Sequence, residues 1–325
     1  MSVLNAPYFH DEEAAFAKLE SIVWPDGPVC PHCGALDRIY ALKGVRSKPS
    51  KKHPQGIERF GLKKCGHCRK QFTARVGTVF ESSHIPLHKW FQAAHLLCSS
   101  KKGISSHQLH RVLKITYEAA WFASHRLREA MRAGPLTPMG SGGVVEIDET
   151  TQGRQAGAPS RKELRSHEYG GWAFRNVVFS LVERGGNVRS FHVSGTTIAE
   201  LMPIIRANIS HEAQVMMDAA SSYKYMNEPA ADGSRPFASH DRIDHSQKEY
   251  ARYELGRVVI HTNTVERYFS LFKRGMRGVY QHCSEKHLRT AISPSSTSAT
   301  TIAVLLALKM RCAPKGRCAV SRASA

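Results

Sequence analysis

Two Cys-x-x-Cys pairs, Cys30-Pro-His-Cys33 and Cys65-Gly-His-Cys68, constrain this chain more than any other feature. Zinc favours four thiolates in a tetrahedron, and two such knuckles supply that geometry. A redox dithiol needs one pair, not two. Disulfides belong to secreted chains, and the acid-rich first twenty residues lack the basic-then-apolar order of a secretory signal. The spacing therefore predicts one structural Zn2+ in a ribbon, held by Cys30, Cys33, Cys65 and Cys68. His32 and His67, inside the knuckles, are expected to face outward. Cys98 and Cys283 read as buried or incidental thiols.

Charge narrows the partner. Lys and Arg number 46 against 27 acids, a net charge of +19. Such an excess neutralises phosphates and releases counterions, so the expected partner is nucleic acid. Apolar residues make up 42%, which suits a folded chain. No apolar run is long enough to span a bilayer, so no membrane contact is expected.

Periodicity divides the rest. Residues 11–23 read as a short amphipathic helix ended by Trp24-Pro25-Asp26-Gly27, and Leu42 to Gly56 as a basic loop. Helical patterns follow at Leu87–Ser99, Ser105–Leu113 and Thr116–Met131. Three helices of this size suit a helix-turn-helix module, in which Ser105, Ser106, His107, His110 and Arg111 could face a DNA groove. A plain helical spacer is the competing reading. Trp90, Phe91, Trp121 and Phe122 are expected in its core. Gly- and Pro-rich residues 133–143 form a linker.

From Val144 the texture is mixed α/β. Strands are expected at Val144–Glu149, Asn176–Glu183, Val188–Val193, Ala213–Met217 and Phe237–His240. Arg184-Gly185-Gly186-Asn187 reads as a hairpin turn, and Thr197–Ile209 and Asn263–Met276 as helices. Asp148 and Asp218 each end an apolar strand, where an acid is costly unless it meets a cation or a donor. Glu266 and Lys273 lie two helical turns apart on one face, and Asn263 shares that face. Asp148, Asp218 and Glu266 together form an oxygen set suited to two Mg2+ or Mn2+ ions, with Lys273 placed to contact phosphate.

The chain resembles the bacterial insertion-sequence transposases that carry an N-terminal zinc ribbon and a DDE domain of the ISXO2-like type. The resemblance rests on both knuckles with Arg69-Lys-Gln-Phe-Thr73, on Gly77-Thr-Val-Phe-Glu81 and on Ile147-Asp-Glu-Thr150. It continues through His261-Thr-Asn-Thr-Val-Glu266, Phe272-Lys-Arg-Gly275 and Gly278-Val-Tyr-Gln-His282. It implies an RNase H-like mixed-sheet fold and a triad at Asp148, Asp218 and Glu266, with Asn263 the competing third ligand. It further implies metal-dependent cleavage at insertion-sequence ends, then 3′-OH attack on target DNA. Arg274, Lys273 and the helix-turn-helix residues would contact that DNA. Partners are terminal-repeat and target DNA and further copies of the chain on paired ends, in a bacterial cytoplasm at the nucleoid. The expected layout is zinc ribbon 13–82, helix-turn-helix-like segment 84–132, linker 133–143 and catalytic domain 144–288.

Residues 289–325 depart from the family. Its members continue with an aromatic helix, whereas this chain has Ile292-Ser-Pro-Ser-Ser-Thr-Ser-Ala-Thr-Thr-Ile302, a poor helix former. Permitted codons for Arg289–Ala303, read in the neighbouring frame, can spell His-Arg-Tyr-Leu-Ala-Glu-Phe-Asp-Phe-Arg-Tyr-Asn-Asn-Arg. A frameshifted tail on a decayed copy is the expectation. A non-catalytic zinc-ribbon repressor and a structure-specific RNase H-like nuclease are the alternatives.

Overall fold

Asp11 begins the first helix by accepting the N–H of Ala14 at 2.7 Å, and α1 runs Glu12–Val23. The computed structural model describes residues 3–51, 53–100, 103–132, 138–159, 174–219, 223, 226, 228–229, 233, 235–254, 257–281, 288, 309–312 and 318–321. The chain divides into two units. One holds residues 1–100, 104–133 and 297–325; the other holds 101–103 and 134–296.

In the first unit, β1 (Ile39–Ala41), β2 (Lys63–Cys65) and β3 (Gln71–Phe72) pair antiparallel in that order. Three helices follow, α2 (Leu87–Ser99), α3 (Ser106–Leu113) and α4 (Tyr117–Arg132). Phe80, Trp90, Leu109 and Leu127 are buried in one core with Phe16 and Leu19 of α1. Each such side chain contributes roughly 1.5–3 kcal/mol. Glu12 reaches from α1 to the start of α2. Its carboxylate accepts the Leu87 N–H at 2.7 Å and the His88 N–H at 3.1 Å, groups the helix itself leaves unpaired. Ser105 caps α3 through the Gln108 N–H. Lys114 turns left-handed (φ 51°), so only three residues separate α3 from α4.

In the second unit, β4 (Val144–Arg154), β5 (Arg175–Glu183) and β6 (Val188–Val193) form an antiparallel meander. Helix α5 (Ile198–Asn208) follows, then β7 (Gln214–Asp218), β8 (Ser239–Ile243), β9 (Arg252–Glu254), β10 (Arg257–Ile260) and α6 (Asn263–Gly275). Among the described residues the main sheet has the order β6-β5-β4-β7-β8, with β4–β7 and β7–β8 parallel. This is the mixed sheet expected of an RNase H-like domain.

Side-chain alternation sorts its faces. Val145, Ile147, Val215 and Met217 pack with Leu201 and Ile205 of α5. The opposite face carries Glu146, Asp148 and Met216. There Val178 and Val182 pack with Val265, Phe269 and Phe272 of α6.

Several elements differ from their expected bounds. The first strand runs to Arg154, because Glu149–Arg154 keep pairing with β5 past the apolar run. The strand expected at Phe237–His240 lies at Ser239–Ile243, where polar side chains pair with buried β7. The β9–β10 hairpin had no sequence signal strong enough to name it. Helix α6 stops at Gly275 and widens into a π turn over Met276–Tyr280. Of the expected linker, residues 133–137 lie outside the described residues. Met139 is buried and donates its N–H to Asn208 O, so it belongs to the second unit's packing. In the tail, Lys309–Cys312 and Cys318–Ser321 pair as antiparallel strands β11 and β12.

Candidate metal centres

The knuckles bring Cys30, Cys33, Cys65 and Cys68 together. Their sulfurs all lie within 4.8 Å of one another, with Cys30–Cys68 and Cys33–Cys65 at 3.6 Å. A tetrahedron with Zn–S bonds of about 2.3 Å requires sulfurs slightly under 4 Å apart, so the set fits zinc. The Cys65 thiol is drawn down to about 7, chiefly by the Cys68 N–H, against burial and with help from the His67 N–H. Thiolate is the form that binds metal. His32 and His67 point outward, and His67 bonds Asp37 at 2.8 Å. Cys98 is buried, and burial raises its thiol to about 11. Cys283 lies outside the described residues.

Among the described residues the thiols are the one His/Cys/Asp/Glu group gathered closely enough to hold an ion, while Asp148, Asp218 and Glu266 lie near one another on the mixed sheet and α6 without closing into such a group. Ile147 pairs with Met217 in the parallel β4–β7 register, so Asp148 and Asp218 follow side by side. Each aspartate turns one oxygen to the next backbone N–H, Glu149 at 2.8 Å and Ala219 at 2.7 Å. Helix α6 supplies Glu266 from its first turn. Its Oε1 accepts from Thr262 Oγ1 at 3.2 Å and lies 3.3 Å from His245 Nε2. Burial pushes the Asp148 carboxyl up to about 7. The Glu149 N–H opposes that rise, and the negative charges of Glu149, Asp218 and Glu266 add to it. The neighbouring acids thus act on Asp148, and a carboxylate oxygen set of this kind suits hard divalent cations. Asn263, Lys273 and Arg274 are exposed on α6, Lys273 and Arg274 in its last turn.

Three features of this region escaped the sequence reading. Glu146, fully buried on β4, meets Arg184 Nε at 2.6 Å and the start of α6. Glu149 accepts from the Tyr223 hydroxyl at 2.6 Å. Its carboxyl is raised first by burial, against the Tyr223 bond, and also by Asp218. His245 sits against Glu266. The signal for Glu146 was present: an acid inside an apolar strand, two residues before Asp148 and so on its face.

The helix-turn-helix candidates fall on α3. Ser105 is its cap, Ser106 bonds Ser124 at 3.2 Å, and His110 Nδ1 contacts Ile115 O across the turn. His107 is exposed and stacks on Tyr117 at 4.4 Å, and Arg111 is exposed. Trp90 and Phe91 are in the core as expected, but Trp121 and Phe122 are not. They stand 45% and 41% exposed on α4, because the short α3–α4 turn directs Ala120, Ala123 and Leu127 inward instead.

Four clustered thiols ahead of a five-stranded mixed sheet define a zinc-ribbon protein with an RNase H-like domain. Comparison narrows the class. Residues 10–71 match the transposase zinc-ribbon domain, and residues 141–292 the ISXO2-like transposase domain. The chain thus belongs to the insertion-sequence transposases built from these two domains. It is 28% identical over 295 residues to an uncharacterized protein in transposable element ISH50 of Halobacterium salinarum. That match covers 86% of this chain and 90% of the relative. No solved structure matches it. Among the described residues no helix is long and apolar enough to cross a membrane.

Proposed function

We propose that this protein cuts DNA at insertion-sequence ends and joins the freed 3′ ends to target DNA, using a divalent-metal site of Asp148, Asp218 and Glu266. One observation carries the reading: Asp148 within β4 and Asp218 at the end of the adjacent parallel strand β7, with a helix-borne glutamate acting on the buried Asp148. Two bound Mg2+ or Mn2+ ions would activate the attacking oxygen and stabilise the leaving one. The protein's own groups orient that chemistry. Asp148 and Asp218 present oxygens from a rigid sheet, and Glu266 adds the third carboxylate in preference to Asn263, whose amide binds such cations less well. Lys273 and Arg274 supply positive charge for the backbone of the bound DNA. Water serves as the first nucleophile and the 3′-OH as the second, with no covalent enzyme intermediate.

The remaining assignments belong to the same reading. The zinc ribbon and the α2–α4 helices bind terminal-repeat DNA, and copies of the chain act on paired ends. The site of action is the bacterial nucleoid. Residues 289–325 are a frameshifted tail; in support, the family match ends at residue 292. A clean reading frame there, with codons that forbid the alternative peptide, removes that part of the proposal.

Strand transfer on terminal-repeat DNA with Mg2+ tests the function. Chemistry in the wild type, lost in Asp148→Asn with DNA binding retained, is the expected result. Equal binding and no chemistry in either protein favours a repressor, the reading that a disrupted tail makes pertinent.

A further inference from the structure

Glu146 lies in the interior of β4 with its side chain 0% exposed. A buried carboxylate is stable only where donors surround it. Here Oε2 accepts the backbone N–H of Thr264 at 2.7 Å and of Val265 at 3.0 Å. Oε1 accepts the Thr264 hydroxyl at 2.9 Å and Arg184 Nε at 2.6 Å, and lies 3.2 Å from His261 Nδ1. Thr262, at the cap position before α6, makes no side-chain cap, so Glu146 takes that place from another element. The N-terminal amides of a helix favour a negative group. Arg184 holds the other side, donating also to His261 O at 3.0 Å.

Glu146 and Asp148 are two residues apart on one strand and share a face. Val265 and Glu266 are neighbours on the helix. One carboxylate thus ties the strand bearing Asp148 to the turn bearing Glu266. We infer that Glu146 is a positioning residue that fixes Glu266 relative to Asp148. The inference rests on the proposed role of those two acids. Glu146 touches no substrate; it acts through the start of α6.

The test uses the full chain as wild type, Glu146→Ala, Glu146→Gln and Asp148→Asn. Backbone amide exchange follows Thr264 and Val265, and titration calorimetry follows Mn2+. In the wild type both amides are protected. In Glu146→Ala they exchange at least tenfold faster and Mn2+ affinity falls at least tenfold, while terminal-repeat DNA is bound as before. Glu146→Gln keeps an acceptor oxygen and gives intermediate values; it carries the test if the alanine variant does not fold. Unprotected wild-type amides overturn the inference. So does lost protection with Mn2+ affinity within twofold of wild type, which is what a merely structural cap would give. A wild type that binds no Mn2+, like Asp148→Asn, sinks the carboxylate reading and the positioning role with it. The exchange rates, which need no metal, tell that failure from a failed clamp.

Discussion

Asp148 and Asp218 stand next to each other on neighbouring parallel strands, one residue beyond the Ile147–Met217 pair. Burial is the first cause that raises the Asp148 carboxyl, and the nearby charges of Glu149, Asp218 and Glu266 add to it.

That rise has a sign. The Asp148 carboxyl sits at about 7 in the fold against an ordinary 3.8, so the folded state holds a proton that the unfolded chain releases. Without metal, stability falls as pH rises from about 4 to about 7, by at most roughly 1.4 kcal/mol per pH unit for this group. A divalent ion replaces the proton, so Mg2+ is expected to raise the melting temperature more at pH 7.5 than at pH 5. Asp148→Asn should flatten both responses. Thermal melts across pH with Mg2+ or chelator decide it, and equal metal shifts at both pH values would contradict the assignment.

Zinc removal should act on the ribbon. Bound structural zinc contributes on the order of 10 kcal/mol in small domains, and β1–β3 bury few side chains of their own. One zinc per chain is expected by elemental analysis. A strong chelator, or Cys65→Ser, should release it and abolish the protection of β2 and β3 amides. Retained protection in a zinc-free chain would mean that the sheet stands on packing alone.

What was legible in advance follows from how local each signal is. The four thiols are local in two short turns, and the apolar runs before Asp148 and Asp218 made both acids visible, although only Asp218 ends its strand. Glu146 was in view but had no role, because its partners Thr264 and Val265 lie more than a hundred residues away. Trp121 and Phe122 were misplaced for the same reason. Helical periodicity admits more than one inward stripe on α4, and only packing against α2 and α3 chose Ala120, Ala123 and Leu127. Of the β9–β10 pair, three-residue β9 is too short to alternate and Val258-Val259-Ile260 of β10 form an unbroken apolar run, so neither shows an alternating pattern.

Glu12 repeats in the first unit the device that Glu146 uses in the second. It accepts the Leu87 and His88 amides, and its Oε2 lies 2.7 Å from His88 Nδ1. Pro86, at the cap position of α2, offers no side-chain acceptor. Glu12→Ala should therefore cost about 1–2 kcal/mol, the usual loss for a removed cap. Chemical denaturation of the zinc-loaded chain measures it, and a change under 0.5 kcal/mol, about that of an ordinary surface substitution, would show that water replaces the carboxylate without penalty.

The exposed side of α3 and α4 gives the last prediction. His107 stacks on Tyr117, Trp121 and Phe122 stand open, and Arg111 is free of the core. On a chain of net charge +19, the DNA contacts of this module should mix phosphate neutralisation with aromatic packing. The two contributions respond differently to salt. Arg111→Ala should weaken terminal-repeat binding and reduce the slope of log affinity against log salt by about 1. Trp121→Ala should weaken binding at every salt concentration and leave the slope unchanged, because an indole releases no counterion. Titrations between low and moderate salt separate the two. If neither substitution changes affinity or slope, α3 and α4 are a spacer and the DNA contacts lie elsewhere on the chain.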